Sequence, residues 1–193
     1  MNKYRATGLV SVLFLIAVVI FSAIYFSGGF GNPGRQNSGY LTESQLVAIN
    51  VTSSGVYVSQ ANSTIFINGT TDLPILMGPM NAPNMYSFEI RGIINPTLVI
   101  KPGSEVHFTV INVDTDSYHN FVLSHFGPPY GIMGSMMGGN GFLNSMQYLP
   151  PVHSGNYAYL NFSYTFSDSG TYWYLCNYPG HAENGMYGKI VVS

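Results

Sequence analysis

Near the end of the chain the sequence reads Tyr172-Trp173-Tyr174-Leu175-Cys176-Asn177-Tyr178-Pro179-Gly180-His181-Ala182-Glu183-Asn184-Gly185-Met186. An aromatic, strand-like run ends on Cys176. A Pro179-Gly180 turn then delivers His181, and a second turn through Gly185 delivers Met186, after which a β-branched run leaves at once. A thiolate, an imidazole and a thioether are thereby gathered in one loop between two strands. A soft thiolate, imidazoles and a weak axial thioether are the ligand set of a mononuclear type 1 copper centre. Taken singly, Cys176 could be a small core residue, His181 a loop histidine and Met186 core filler. All three in one loop shaped by Gly and Pro point to a metal, and the chemistry of such a metal is movement of single electrons.

That centre needs a second imidazole. His119, in Asp116-Ser117-Tyr118-His119-Asn120-Phe121, stands at the start of an expected strand whose end a sandwich can bring beside the Cys176 loop. His107 alternates with Val106, Phe108 and Val110 and so points to a polar face. His125 and His153 flank a long loop and read as surface residues or neighbours of the ligands.

Several chemistries are excluded. The chain has 1 Cys, so neither an internal disulfide nor a binuclear, two-cysteine copper centre can form. Cys176 is flanked by Leu175 and Asn177, not by the histidines that would wire it to a trinuclear cluster. No further catalytic metal cluster is evident, and an enzyme is not expected. The basic residues beyond the first 30, Arg35, Arg91, Lys101 and Lys189, form no cluster, which argues against nucleic acid. Two readings from other classes stay open. Met133, Met136 and Met137 could hold copper(I) for delivery, or form an adaptable apolar patch for docking. A glycosylated surface domain with a structural metal is the other.

The elements that must position these residues are short β-branched and aromatic runs at 64–67, 85–90, 97–100, 106–111, 120–123, 157–166, 171–175 and 187–192. Turn signals such as Lys101-Pro102-Gly103 and Ser167-Asp168-Ser169-Gly170 separate them. Strands of this spacing predict an all-β antiparallel sandwich with Greek-key connections. A long irregular insertion at about 126–156, rich in Gly and carrying Met133, Met136, Met137 and Met146, breaks the rhythm.

Ahead of this domain, expected at 46–193, the residues from Gly8 to Phe26 carry no charge. At ~1.5 Å per residue such a helix crosses a hydrocarbon core. Lys3 and Arg5 precede it, placing residues 1–7 in the cytoplasm, with an uncleaved transmembrane anchor at 8–27 favoured over a signal peptide. A Gly-rich tether is expected at 28–45. Asn50, Asn62, Asn68 and Asn161 begin Asn-x-Ser/Thr triplets, which suits a glycoprotein outside the cytoplasm. Charged residues make up 7% of the chain, so its surface changes little in charge as pH falls, as an acid environment would demand.

The segment from Cys176 onward resembles the copper loop of the cupredoxins, in its Cys-x4-His-x4-Met spacing. Pro179-Gly180-His181 and the stretch from Gly185 to Val192 are similar to the acid-stable rusticyanin branch. The anchor, the linker, the segment Thr64-Ile65-Phe66-Ile67-Asn68-Gly69-Thr70 and the insertion resemble the membrane-anchored sulfocyanins of acid-loving archaea. The match departs slightly at Phe66-Ile67-Asn68. The resemblance implies a cupredoxin-like fold holding one copper ion, with His119, Cys176 and His181 as strong ligands and Met186 axial. It implies that Asn120 ties the two ligand loops together, with Asn177 and Pro179 shaping the loop around them. It also implies an electron shuttle on the outer face of the cell membrane, between a cytochrome complex and a haem-copper oxidase.

Overall fold

The computed structural model describes residues 36–49, 54–130, 143 and 147–193. The expected cytoplasmic segment 1–7, the anchor at 8–27, Asn50 and Met133, Met136, Met137 and Met146 lie outside the described residues. Among the described residues no helix is long and apolar enough to cross a membrane.

Two six-stranded sheets enclose one core. The first runs β1 (Asn37–Thr42), β10 (Asn156–Phe166), β8 (Ser104–Asn112), β4 (Thr71–Met77), β5 (Phe88–Ile90), β6 (Ile93–Ile94). The second runs β2 (Val56–Ser59), β3 (Thr64–Ile67), β7 (Thr97–Ile100), β12 (Tyr187–Val192), β11 (Gly170–Leu175), β9 (Val122–Ser124). Burial follows the period-2 pattern that gives each strand one inner face: β10 buries Ala158, Leu160, Phe162, Tyr164 and Phe166 while the residues between them are partly exposed. Phe88, Phe108, Phe121, Phe162 and Tyr174 meet ring to ring across the core, with Phe108 stacked on Phe162 at 4.9 Å and Phe121 on Tyr174 at 5.4 Å.

The all-β sandwich is as expected, but the sheets are mixed. Strands β3 and β7, β7 and β12, and β4 and β8 pair in parallel. Side-chain alternation has the same period in either direction, so the pattern could not distinguish them. Strands β1, β2, β4 and β6 were not expected. β4 carries Pro74, which reads as a strand breaker. It is accommodated because β5 pairs only with Leu76 and Met77, leaving β4 an open side at Pro74. The tether expected at 28–45 is corrected in its described part. Asn37–Thr42 pairs antiparallel with β10 along its full length. Thr42 then caps a five-residue helix, α1 (Glu43–Val47), through a reciprocal capping box with Gln45. Of the three described glycan acceptors, Asn62 and Asn68 are exposed. Asn161 sits inside β10 between two partner strands, with its carboxamide oxygen shut from solvent, and the fold argues against a glycan there.

The strand that delivers Cys176 is locked by Tyr174. Its hydroxyl donates to the Pro96 carbonyl at 2.6 Å, and its ring lies over Gly188, the cross-strand partner on β12. A Cβ on Gly188 would come within 2.1 Å of that ring. Gly188→Ala is therefore expected to cost about 2 kcal/mol or more, the scale of a core forced to overpack. Chemical denaturation checks this: a lower midpoint at unchanged slope is predicted, and an unchanged midpoint would mean the ring has room to move.

Candidate metal centre

The end of β11 and the start of β12 are joined by a loop whose every turn is hydrogen-bonded. Tyr178-Pro179-Gly180-His181 closes with the His181 N–H donating to the Tyr178 carbonyl at 3.0 Å, and Gly180 has φ +83°. Proline second and a positive-φ glycine third are what a type II turn requires. Gly185, at φ +104°, makes the second reversal, and its N–H donates to the Ala182 carbonyl. The loop closes on itself when the Met186 N–H donates to the His181 carbonyl and the Cys176 N–H to the Met186 carbonyl, both at 3.0 Å. Pro179 itself is exposed, so its part is to hold the turn.

His119 arrives from the other side. It lies three residues before β9 rather than at the start of a strand, held in an isolated bridge to Leu149. Two backbone hydrogen bonds, 3.2 and 2.7 Å, make that bridge and pin the end of the long insertion to this loop. The donor atoms of His119, Cys176 and His181 lie within 4.8 Å of one another, and all three residues are buried. Cys176 Sγ is 3.8 Å from His119 Nδ1 and 3.5 Å from His181 Nδ1, and the two Nδ1 atoms are 3.1 Å apart. Met186 is fully buried in the adjoining apolar cluster.

Asn120 bridges the two loops. Its backbone N–H donates to Cys176 Sγ at 3.4 Å, its carboxamide oxygen accepts from the Asn177 N–H at 2.9 Å, and its amide nitrogen donates to the Asn177 side chain. Sequence reading missed four contributors. Asp114 hydrogen-bonds His119 Nε2 at 3.0 Å. Asn95 donates to the Gly185 carbonyl at 3.1 Å. Tyr86 places its ring 5.1 Å from that of His181. Gly78 leaves room that a Cβ would take from Asp114 and His119. Asp114 carried a weak signal, as a carboxylate five residues before His119. The other three arise from tertiary contacts and had none. The remaining histidines stay apart from the centre: His107 pairs with Asp72 at 3.1 Å on the outer face of β8, His125 packs on Tyr172, and His153 pairs with Asn156.

The surroundings disfavour charge on the donors. Burial pushes the Cys176 thiol up to about 12, against backbone hydrogen bonds from Asn120 and Tyr178 that favour the thiolate. Burial, then the neighbouring His119, pulls His181 down to about 4. Burial also lowers His119, against the hydrogen bond and charge of Asp114. His181 is 5% exposed, against 0% for His119, and packs against Tyr86 and Tyr178.

The donor set fits copper. Asp114 meets His119 at Nε2, which leaves Nδ1 as the nitrogen turned toward Cys176 and His181. One copper ion held there supplies a one-electron step between copper(II) and copper(I). The residues do the rest. Cys176 would give up its proton on binding, His119 and His181 would hold the ion through their ring nitrogens, and their burial keeps water away. Cys176→Ser is expected to abolish the intense visible absorption of the copper-loaded protein, since that absorption requires a thiolate on the metal. A variant that stays blue would remove Cys176 from the site. Met186→Leu is expected to keep copper and raise the potential, because a thioether stabilises copper(II) weakly. Voltammetry giving an equal or lower potential would mean that Met186 does not hold the copper.

For the metal-free protein the pH dependence follows from these shifts. His181 is lowered from 6.5 to about 4 in the fold, so its contribution is complete above 6.5 and is lost as pH falls toward 4. Cys176 is raised from 9.0 to about 12, so its contribution is complete below 9.0 and is lost as pH rises toward 12. Thermal melts of the metal-free protein should show a plateau between those limits with losses on both sides. A melting temperature that rises on acidification below 6.5 would contradict the burial of His181.

Residues 94–193 match the copper-binding proteins of the plastocyanin/azurin family. Rusticyanin of Acidithiobacillus ferrooxidans is 35% identical over 142 residues, covering 72% of this chain and 68% of that protein. Rusticyanin of Acidithiobacillus ferridurans is 34% identical over the same length. A solved structure of reduced rusticyanin superposes with a TM-score of 0.71 at 31% identity, covering 81% of this chain and 100% of that one. A second rusticyanin structure, from Thiobacillus ferrooxidans, gives 0.71 at 30% identity, covering 83% and 99%. With the donors His119, Cys176 and His181 converged in a cupredoxin sandwich, the chain belongs to the plastocyanin/azurin family of copper-binding proteins and is a blue-copper electron carrier like rusticyanin.

Proposed function

We propose that this carrier is a sulfocyanin-like shuttle, anchored by residues 8–27 on the outer face of the cell membrane, taking single electrons from a cytochrome complex and passing them to a haem-copper oxidase. The observation that carries the electron-transfer core of this reading is the buried convergence of His119, Cys176 and His181. A dry donor set fixed by hydrogen bonds on both loops changes shape little when one electron arrives, which is what fast transfer needs. The anchor rests on the charge-free run from Gly8 to Phe26 behind Lys3 and Arg5. An acidic exterior is supported by the sparse charge of the chain and by the burial of both histidines.

The surface around His181 suits a large partner. Tyr118 and Tyr178 stack at 6.4 Å, Tyr148 meets Tyr178 edge-on at 5.7 Å, and Tyr178 lies 4.8 Å from His181. Tyr118 and Tyr148 are 46% and 43% exposed, and Met80 and Met85 are exposed on the segment that leads to Tyr86. Such a rim lets a protein approach without desolvating charge. Tyr148 belongs to the described end of the 126–156 insertion, which brings that end to the rim.

A soluble carrier in iron oxidation is the second reading, favoured by the likeness to rusticyanin. Copper delivery through Met133, Met136 and Met137 is the third. Three measurements separate them. Membrane fractionation of the full chain tests the anchor: the account predicts release by detergent but not by salt or alkali. Reoxidation of the reduced protein by native membranes should be cyanide-sensitive, whereas reduction by ferrous iron with no oxidation by membranes would favour the soluble reading. Binding of more than one copper(I) per chain would favour delivery. Within the shuttle reading, Tyr148→Asp puts an unpaired charge into the docking rim. It should slow transfer to the partner about tenfold, the equivalent of about 1.4 kcal/mol, and leave the optical spectrum intact. Stopped-flow kinetics with membranes checks this, and an unchanged rate would move the docking surface elsewhere.

A further inference from the structure

We propose that Asp114 is a positioning residue for the copper centre: it fixes the ring tautomer of His119, hence the atom His119 offers the metal, and its negative charge holds the reduction potential down. The inference rests on the copper reading of the site, although its first test needs no metal.

Asp114 is 5% exposed, and its two oxygens have separate work. Oδ2 lies 3.0 Å from His119 Nε2. Oδ1 accepts the backbone N–H groups of Asp116 at 2.7 Å and Ser117 at 3.2 Å. The carboxylate is thus oriented by its own loop before it meets the imidazole. The loop is held in turn. Asn112 Oδ1 accepts the Asp114 N–H at 3.0 Å, and Asn112 Nδ2 donates to the carbonyls of Ser117, Leu149 and Pro150 at 2.9 to 3.0 Å. The Asp114 carbonyl accepts from the Val152 N–H at 2.8 Å. Gly78 closes the other side: a Cβ there would stand 2.7 Å from Asp114 Cβ, 2.8 Å from Oδ2 and 2.9 Å from His119 Nε2. Bare backbone thus packs directly against the pair, where any side chain at this position would collide with it.

The chemistry follows from what a carboxylate can do. It accepts and never donates, so the hydrogen must sit on His119 Nε2 and the lone pair on Nδ1. Nδ1 is the nitrogen that faces Cys176 and His181. A carboxylate behind a ligating imidazole also makes the ring a stronger donor. The oxidised centre carries one more positive charge than the reduced one, so a buried anion bonded to the ring favours copper(II).

The test uses the full chain in detergent. Long-range proton–nitrogen spectra of the metal-free wild type, taken above neutral pH where the rings are uncharged, report the His119 tautomer directly. The proposal expects Nε2–H; Nδ1–H would overturn it. Asp114→Asn keeps the shape and an acceptor oxygen but removes the charge. The copper-loaded variant should retain its blue band while its potential rises, because its copper(II) affinity falls relative to copper(I) by at least about tenfold, about 59 mV for one electron. A purely structural part for Asp114 would change stability and leave the potential in place, and an unchanged or lower potential overturns the proposal. Should Asp114→Asn fail to fold, the wild-type tautomer still decides, with slowed exchange of the Nε2 proton as the supporting result and free exchange with solvent as the contrary one.

Discussion

The centre depends on the paired hydrogen bonds between Asn120 and Asn177. These residues follow His119 and Cys176 directly, one on each of the two ligand loops, and their side chains and backbone lock the loops in register. The Asn120 N–H reaches the sulfur itself. The two loops lie 57 residues apart in sequence, so nothing local could set the distance between sulfur and imidazole. The sandwich brings the ends together, and the asparagine pair fixes the last ångström.

What could be read from the sequence follows from which interactions are local. The Cys176–Met186 loop was legible because its turns are built from its own residues: Pro179 and Gly180 are types that a type II turn requires, and Gly185 is free to take positive φ. His119 was singled out by its place ahead of an expected strand and by the cupredoxin resemblance, while His107 was set aside because it alternates onto a polar face, where it lies in the fold. Tyr86, Gly78 and Asn95 act through space on loops that only the folded sheets bring near, whereas Asp114 stands on the His119 loop itself, five residues ahead, and gave only a weak signal. Their types were unremarkable where they stood.

The fold was legible by class and less so by connection. Strands such as β3, β7 and β12 show clean β-branched runs. β4 was hidden by Pro74, and β1 by a Gly- and Asn-rich approach that reads as linker. Parallel pairing left no trace in the alternation. These losses do not touch the centre, because its position depends on where β9, β11 and β12 end, and those ends were marked by the loop itself.

The central claim is that one copper ion sits between one sulfur and two imidazoles in a site already shaped to hold it. X-ray absorption at the copper edge of the loaded full chain, in both oxidation states, tests it most directly. The account predicts one copper per chain, one short sulfur contact and two imidazole nitrogens, nearly unchanged on reduction. Absence of a short sulfur contact, a shell of several thioether sulfurs, or loss of an imidazole on reduction would contradict it.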